Sequence, residues 1–199
     1  MVKETALALG YEKVVFLDDA SKDADVIGMC CDYVLRHAEY PAAVAAFGNN
    51  KTRLYWTDKL IEEGYEVPSI VHPSAIVSPS VVLEQGCFVM QRAVVNTHTK
   101  IERAVLVNSG AVVDHDSVVC AGAHIGLGSV VKANCTIESG RKVEAGEVIF
   151  STRRKIEGVD SRSLEDAVWI GMHGRKFCNR DNISKNYLIF LYALYIIRV

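Results

Sequence analysis

The chain has 199 residues, of which half are apolar, and a formal net charge of −2 at neutral pH. It has no basic patch of the nucleic-acid-binding type, so composition argues against a nucleic-acid partner. Its six cysteines form no CxxC pair and no zinc-like spacing, and the N-terminus has no signal-peptide pattern. We therefore expect free thiols in a cytoplasmic protein of one or two small domains.

The first third of the chain alternates helix and strand patterns. The predicted elements are a helix over 2–9 ending at Gly10, a strand Lys13–Leu17, a short strand within Cys31–Leu35, a strand Ala42–Phe47, and a helix Lys51–Glu63. Asn49 or Asn50 is the expected N-cap of the last helix, and Gly64 its stop. This alternation predicts an α/β half domain of nucleotide-binding type with parallel strands over residues 1–68.

A six-residue repeat follows. An aliphatic residue occupies every sixth position from Val71 to Ile149, fourteen times without an insertion. Glycines recur three residues after the aliphatic, where a tight bend needs a permissive backbone. A period of six fits neither a helix nor a flat strand, and it predicts a β-solenoid over residues 69–158 with the aliphatics inside.

This hexad pattern resembles the hexapeptide-repeat acyltransferases, whose left-handed parallel β-helix uses three hexads per triangular coil. Fourteen hexads would then make between four and five coils. Further segments resemble the sialic-acid O-acetyltransferases and UDP-amino-sugar N-acetyltransferases: FLDD (16–19), AFGNNKTR (46–53), VHPSA (71–75), NSGAVVDHDSVV (108–119) and AHIG (123–126).

The resemblance implies a mainly β protein, in which a left-handed β-helix follows a small, truncated Rossmann-like domain. It also implies transfer of an acetyl group from acetyl-CoA, the co-substrate, to an amino-sugar or sialic-acid-type substrate, free or nucleotide-linked. The resemblance further implies a homotrimer with each active site between two subunits.

His115 is the candidate general base. It lies two residues past an inward aliphatic, so its side chain should point outward, and two carboxylates flank it. The resemblance assigns proton abstraction to His115 and its orientation to Asp116, with Asp114 as the less favoured orienting residue. His98, 18 residues before Asp116, should lie one coil below it and serve in packing or an ion pair.

The resemblance also suggests binding residues. Those for acetyl-CoA are His124, Gly126 and Gly128, and that for the acceptor is Asn108. Asp18 and Asp19 are further candidates for the acceptor, because they end a predicted strand and α/β sheets bind ligands at the carboxyl ends of their strands. Five basic residues on the later coils or just beyond are candidates for the coenzyme A phosphates, as point charges: Lys132, Lys142, Arg153, Arg154 and Lys155.

The two ends of the chain depart from the family pattern. The central first strand and its G-x-G-G-H loop are missing at the start, which predicts a sheet with unpaired edges. Either a truncated or frame-shifted gene product or a genuine short variant would explain this start. The segment 159–199 resembles nothing in the family. Its apolar run, Tyr187–Val199, is too short to span a bilayer. A helix capping the last coil, a membrane-surface segment and an unstructured artefact remain open for it.

Other functions remain open as well. One is a different hexapeptide-repeat acetyltransferase, such as a serine acetyltransferase, although the chain has no long helical N-terminal domain of that type. Another is a non-catalytic scaffold, or a carbonic-anhydrase-like trimer in which His98, His115 and His124 hold zinc. A third is an inactive remnant. In the leading hypothesis no metal is bound.

Overall fold

The computed structural model describes residues 1–21, 23–151 and 187–192. They belong to one compact unit. The helices are α1 (Val2–Ala8), α2 (Tyr33–Arg36) and α3 (Asn50–Glu62), and the first three strands are β1 (Lys13–Asp18), β2 (Val26–Gly28) and β3 (Ala42–Ala45). The strands of the repeat are β4 (Ile70–Val71), β5 (Ile76–Val77), β6 (Val82–Leu83), β7 (Phe88–Val89), β8 (Val94–Val95), β9 (Lys100–Ile101), β10 (Leu106–Val107), β11 (Val112–Val113), β12 (Val118–Val119), β13 (His124–Ile125), β14 (Val130–Val131), β15 (Thr136–Ile137), β16 (Lys142–Val143) and β17 (Val148–Ile149). The last strand is β18 (Tyr187–Tyr192).

Both predicted N-terminal helices are confirmed, and their ends follow from local chemistry. Helix α1 is followed by Gly10 at φ +92°, and α3 by Gly64 at φ +91°, a left-handed conformation that glycine adopts without strain. Asn49 is the N-cap of α3, since its Oδ1 accepts a hydrogen bond of 3.0 Å from the backbone N–H of Thr52.

The strand predicted within Cys31–Leu35 is wrong, because this segment is helical. A 3₁₀ turn, Cys30–Asp32, leads directly into α2. The Asp32 carboxylate accepts a hydrogen bond of 2.8 Å from the N–H of Met29, and the Asp19 carboxylate accepts one of 2.8 Å from the N–H of Cys30. These side-chain acceptors satisfy donors at the start of the turn, which a strand would have to pair elsewhere.

The prediction of a sheet without its central strand is also wrong. The N-terminal sheet has the strand order β2-β1-β18-β3 and all its pairs are parallel. Strand β18, from the far end of the chain, pairs with β1 from Lys13↔Tyr187 to Asp18↔Tyr192. Residues 187–192 therefore form an interior strand, not the capping helix considered for the tail, and they supply the hydrogen-bonding partner that β1 and β3 would lack. The rest of the proposed tail, 159–186 and 193–199, lies outside the described residues.

The repeat forms the predicted solenoid. Its strands stack into three parallel sheets with the orders β16-β13-β10-β7-β4 (the first face), β17-β14-β11-β8-β5 (the second face) and β15-β12-β9-β6 (the third face). Of the fourteen predicted inward aliphatics, the ten from Val89 to Val143 are at most 1% exposed. The other four, in the end coils, are partly buried. The end coils have a neighbour on one side only, so their aliphatics are covered less completely.

Helix α3 packs along one corner of the solenoid. The corner positions Gly86, Ala104, Gly122 and Gly140 are spaced by one coil of 18 residues, and all have φ between +58° and +69°. Successive turns of α3 meet successive corners: Thr57 contacts Gly86, Arg53 donates to the carbonyl of Ala104, Leu54 contacts Gly122, and Asn50 donates to the carbonyl of Gly140. This match is possible because a helical turn rises about 5.4 Å and stacked strands are about 4.8 Å apart. The docking holds the N-terminal sheet against the first face.

Candidate active site

His115 and Asp116 form a hydrogen-bonded pair on an exposed corner that follows β11. The His115 Nδ1 lies 2.7 Å from Asp116 Oδ2, and the two side chains are 48% and 50% exposed. Asp116 has a left-handed backbone at φ +53°, as residues at such corners of this solenoid do. The corner thus turns both side chains outward, as the hexad pattern predicts.

The pairing selects one tautomer of His115. With the Nδ1 proton donated to Asp116, the lone pair of Nε2 faces outward and can accept a proton. The hydrogen bond to Asp116 raises the pKa of the His115 imidazole above its ordinary value, and the charges of Asp114 and Asp116 act in the same direction. A raised pKa makes the neutral imidazole a stronger base.

Asp114 supports the backbone rather than the imidazole. Its Oδ1 accepts hydrogen bonds of 2.9 Å from the N–H of His115 and from Asn96 Nδ2. These hydrogen bonds, with that from Asn96 first, lower the pKa of the Asp114 carboxyl. His98 lies one coil below, with Nδ1 3.5 Å from Asp116 Oδ1, so the predicted ion-pair position of His98 is confirmed.

His124 and Asn108 meet in a separate place, on the first face of the solenoid. Asn108 Oδ1 accepts a hydrogen bond of 2.8 Å from the N–H of Ser109, which turns its amide nitrogen toward His124 Nε2 at 3.2 Å. The amide donates and Nε2 accepts, so a neutral His124 carries its proton on Nδ1. Both residues line a cavity of about 140 Å³, together with Met1, Val2, Ala46, Phe47, Gly48, Arg53, Phe88, Met90 and Leu106.

His124 differs electrostatically from His115. Burial lowers the pKa of the His124 imidazole to about 4, and the positive charges of Arg53 and Lys142 act in the same direction. His124 is therefore neutral at physiological pH, whereas the pKa of His115 is raised. One imidazole is arranged to accept a proton and the other to serve as an uncharged hydrogen-bonding group.

The two glycines predicted to contact acetyl-CoA have different environments. A Cβ on Gly126 would lie 2.5 Å from the carbonyl oxygen of Val143, so this glycine is required by the close approach of the next coil. Gly128 has φ +61° and nothing within 4 Å of a Cβ position, so its outer side is open. Only Gly128 leaves room for a ligand where a side chain would lie.

Asp18 and Asp19 lie at the carboxyl end of β1, where parallel sheets commonly bind ligands. Both carboxylates already have local roles. Asp18 Oδ1 accepts hydrogen bonds from the N–H groups of Ala20 and Ser21, at 2.9 and 3.0 Å, and Asp19 Oδ1 accepts the one from Cys30. These contacts hold the loop that follows β1.

The basic residues considered for the coenzyme A phosphates are only partly described. Lys142 pairs with Glu144 at 2.9 Å, and Lys132 has no ion pair within the described part of the chain. Arg153, Arg154 and Lys155 lie outside the described residues.

The zinc alternative receives no support within one chain. His98 and His115 share Asp116, whereas His124 lies beside Asn108 in the cavity. Over residues 1–21 and 23–151, no group of three or more His, Cys, Asp or Glu side chains is placed to hold a metal ion.

Within residues 1–21, 23–151 and 187–192, no helix is long and apolar enough to cross a membrane.

Sequence reasoning missed Arg53. Its guanidinium is fully buried at the junction of α3 and the solenoid and reaches the cavity beside His124. An arginine in a polar helix ordinarily predicts a solvated side chain, so its only signal was its place in AFGNNKTR.

Comparison with known proteins gives the family. No family model matches the sequence. PerB from Caulobacter crescentus, solved in complex with CoA and GDP-perosamine, is 29% identical with a TM-score of 0.66, over 75% of this chain and 82% of that one. The acetyltransferase domain of PglB from Neisseria gonorrhoeae is 34% identical with a TM-score of 0.65, over 75% of this chain and 84% of that one. The same domain in complex with acetyl coenzyme A is 32% identical with a TM-score of 0.65, over 74% and 85% of the two chains. Identity at this level, over most of the PglB domain and including the stacked coils, shows that this chain belongs to the hexapeptide-repeat acetyltransferases with a left-handed β-helix.

Proposed function

We propose that this protein transfers an acetyl group from acetyl-CoA to an amino-sugar or sialic-acid-type acceptor, free or nucleotide-linked. The observation that carries the proposal is the His115–Asp116 pair, with Nδ1 and Oδ2 2.7 Å apart on an exposed corner. Two similar proteins support this choice of acetyl donor and acceptor. PerB was solved with CoA and the nucleotide sugar GDP-perosamine, and the PglB domain was solved with acetyl coenzyme A.

The proposed reaction is a direct transfer. Nε2 of His115 takes a proton from the acceptor amine or hydroxyl as its nitrogen or oxygen attacks the thioester carbonyl carbon. The carbon–sulfur bond then breaks, the acetyl group stays on the acceptor, and the coenzyme A thiolate takes up the proton. Asp116 stabilises the imidazolium that forms in between, and a backbone N–H stabilises the tetrahedral oxyanion. No covalent enzyme intermediate is required.

The remaining site residues have binding roles in this proposal. His124 and Gly128 bind acetyl-CoA near the thioester, and Gly126 lets the backbone approach the next coil that closely. Asn108, which is hydrogen-bonded to His124, contacts the acceptor. Asp18 and Asp19 also bind the acceptor, at the carboxyl edge of the N-terminal sheet. Since both carboxylates accept local backbone hydrogen bonds, they also hold the loop that would surround the ligand.

A homotrimer is part of the proposal. The outward residues of the second face are all aliphatic and form one column: Ile76, Val94, Val112, Val130 and Val148. Ile76 is 66% exposed and Val148 41% exposed in the single chain. A continuous apolar stripe of this kind is typical of a surface that another subunit covers. Because His115 follows β11 of this face, a neighbouring subunit would lie beside the base. Sedimentation should give a trimer at micromolar concentration, and a monomer would contradict the shared site.

The activity is tested by His115→Ala, with His98→Ala as the matched control. Both variants remove an exposed imidazole next to Asp116, but only His115 makes the 2.7 Å contact. Release of free coenzyme A thiol is followed with GDP-perosamine, UDP-linked amino sugars and sialic acid as acceptors. Loss of a general base should lower turnover roughly 10²–10⁴-fold in His115→Ala, while His98→Ala stays within about threefold. More than about a tenth of the wild-type turnover in His115→Ala would show that another group is the base.

A further inference from the structure

Arg53 is a buried cation without a carboxylate partner among residues 1–21 and 23–151. Its side chain is fully buried, and within the described residues its guanidinium donates to five neutral oxygens. The acceptors are the carbonyl of Ala104 at 2.8 Å, that of Phe47 at 3.0 Å, that of Gly122 at 2.9 Å, that of Ala123 at 3.2 Å, and Asn50 Oδ1 at 3.0 Å. Burial lowers the pKa of Arg53 to about 10, so the group stays charged at neutral pH. A buried charge is unfavourable unless its donors are all engaged.

Three of the carbonyls that Arg53 binds lie on neighbouring coils, on the corners before β10 and β13, and the fourth is that of Phe47. The carbonyls of Gly122 and Ala123 directly precede His124. The carbonyl of Ala104 lies on the corner before β10, and Asn108 is the first residue after β10. One rigid, planar guanidinium thus connects two neighbouring coils, directly before His124 and at the start of β10, the strand that ends beside Asn108.

We propose that Arg53 is a positioning residue of the acetyl-transfer site, which holds Asn108 and His124 in hydrogen-bonding contact and places a fixed positive charge beside the imidazole. The role in turnover rests on the proposed function, whereas the effect on His124 does not. Docking of α3 alone would not require a charged group at this place, since Thr57 and Leu54 already pack on neighbouring corners.

Burial lowers the pKa of His124 most, and the charges around the imidazole add to this effect or oppose it. Arg53 and Lys142 disfavour the imidazolium, Glu144 favours it, and Asn108 is neutral. Lys142 is itself paired with Glu144 at 2.9 Å, so their effects oppose each other. Arg53 has no such opposing carboxylate in the part of the chain that the structure describes, and its charge acts on His124 inside a largely apolar cavity.

The charge is tested by Asn50→Asp, with Asn49→Asp as the matched control. Asn50→Asp keeps an acceptor for Arg53 but places a carboxylate against the guanidinium. Asn49→Asp adds the same charge one residue earlier and retains the N-cap of α3. The pKa of the His124 ring is measured by NMR titration, with His124→Gln to assign the signal. It should rise by about half a pH unit or more in Asn50→Asp and change much less in Asn49→Asp. An unchanged titration in Asn50→Asp would overturn the electrostatic part of the proposal.

The geometry is tested by Arg53→Lys and Arg53→Met, with Arg103→Met as the control. Arg103 also ties α3 to the solenoid, through Asp58 at 2.6 Å, but it makes no contact with His124. Arg53→Lys keeps the positive charge but lacks the planar fork of five N–H donors. In this variant kcat should fall at least about tenfold, while the pKa of His124 stays low. Arg53→Met should both lower kcat and raise the His124 pKa.

The outcomes separate the two proposals. If the wild-type protein transfers no acetyl group to any acceptor, the proposed function fails, but the His124 titrations still test Arg53. If Arg53→Met lowers the melting temperature no more than Arg103→Met does, and leaves kcat within about threefold and the His124 pKa unchanged, Arg53 only docks α3 and the proposal is wrong. Should Arg53→Met fail to fold, Asn50→Asp decides the electrostatic part and Arg53→Lys the geometric one.

Discussion

Gly122→Ala should destabilise the protein more than Gly140→Ala, although both positions are the same corner in successive coils. Gly122 has φ +69° and Gly140 φ +67°, so an alanine suffers the same left-handed strain, about 1–2 kcal/mol, at either position. At Gly140 nothing lies within 4 Å of the added Cβ. At Gly122 the added Cβ would lie 3.1 Å from Leu54 Cβ and 3.2 Å from Leu54 Cδ2.

The magnitude follows from this difference in packing. Overpacking of a well-filled contact costs about 1–3 kcal/mol, so Gly122→Ala should lose about that much more stability than Gly140→Ala. The alanine at residue 104, with φ +58° on the same corner, shows that the backbone tolerates a Cβ where α3 leaves room. The clash would push α3 outward and loosen the hydrogen bonds from Arg53 to Gly122 and Ala123.

The assay is urea unfolding at a fixed protein concentration, followed by the fluorescence of Trp56, which lies on α3. A Trp169→Phe background removes the other tryptophan. Free energies of unfolding for the two variants that agree within about 0.5 kcal/mol would refute the packing analysis, because the backbone strain is common to both.

Three further predictions concern the base, the core and the last strand. The fall of kcat/KM toward acid pH should have an apparent pKa above the ordinary histidine value of 6.5, since His115 must be neutral and its pKa is raised. Asp116→Asn should move this apparent pKa to lower pH. An unchanged apparent pKa would show that the His115–Asp116 pair does not cause the fall. Ile125→Ala should lower the free energy of unfolding by about 2–5 kcal/mol, because this side chain is fully buried, and Ile149→Ala on the partly buried end coil should cost clearly less in the same denaturation experiment. Ile189→Pro removes a backbone donor in the middle of β18, so hydrogen exchange should accelerate in β1 and β3 but not in the solenoid. If β1 and β3 of the variant stay as well protected as the solenoid strands, the sheet does not depend on β18.

The solenoid could be read from the sequence because its contacts are local and periodic. Each hexad supplies one inward aliphatic and one corner, and the same rule applies from Val71 to Ile149. The outward corner of His115, between two carboxylates, follows from the same rule. The choice of Asp116 over Asp114 as the orienting residue came from the family resemblance, and Asp116 is the one that contacts the imidazole. The contact of His98 with Asp116 follows from the coil length of 18 residues.

The N-terminal sheet could not be read in this way. Its central strand comes from residues 187–192, more than 140 residues after β3, and a short apolar run carries no information about its pairing partner. The sequence therefore predicted an incomplete sheet, and only the register of β18 between β1 and β3 shows how it is completed.

By itself the sequence determined the repeat, its core and the exposed histidine between two carboxylates, because these depend on spacing along the chain. The tertiary structure alone decided the environment of His124 and Asn108, since the docking of α3 brings a buried arginine to the corner before His124 and into the cavity that both side chains line. The physical reason is that burial and fixed charge, which set the protonation of His124, arise from groups distant in sequence: Arg53 lies 71 residues before it, on another element.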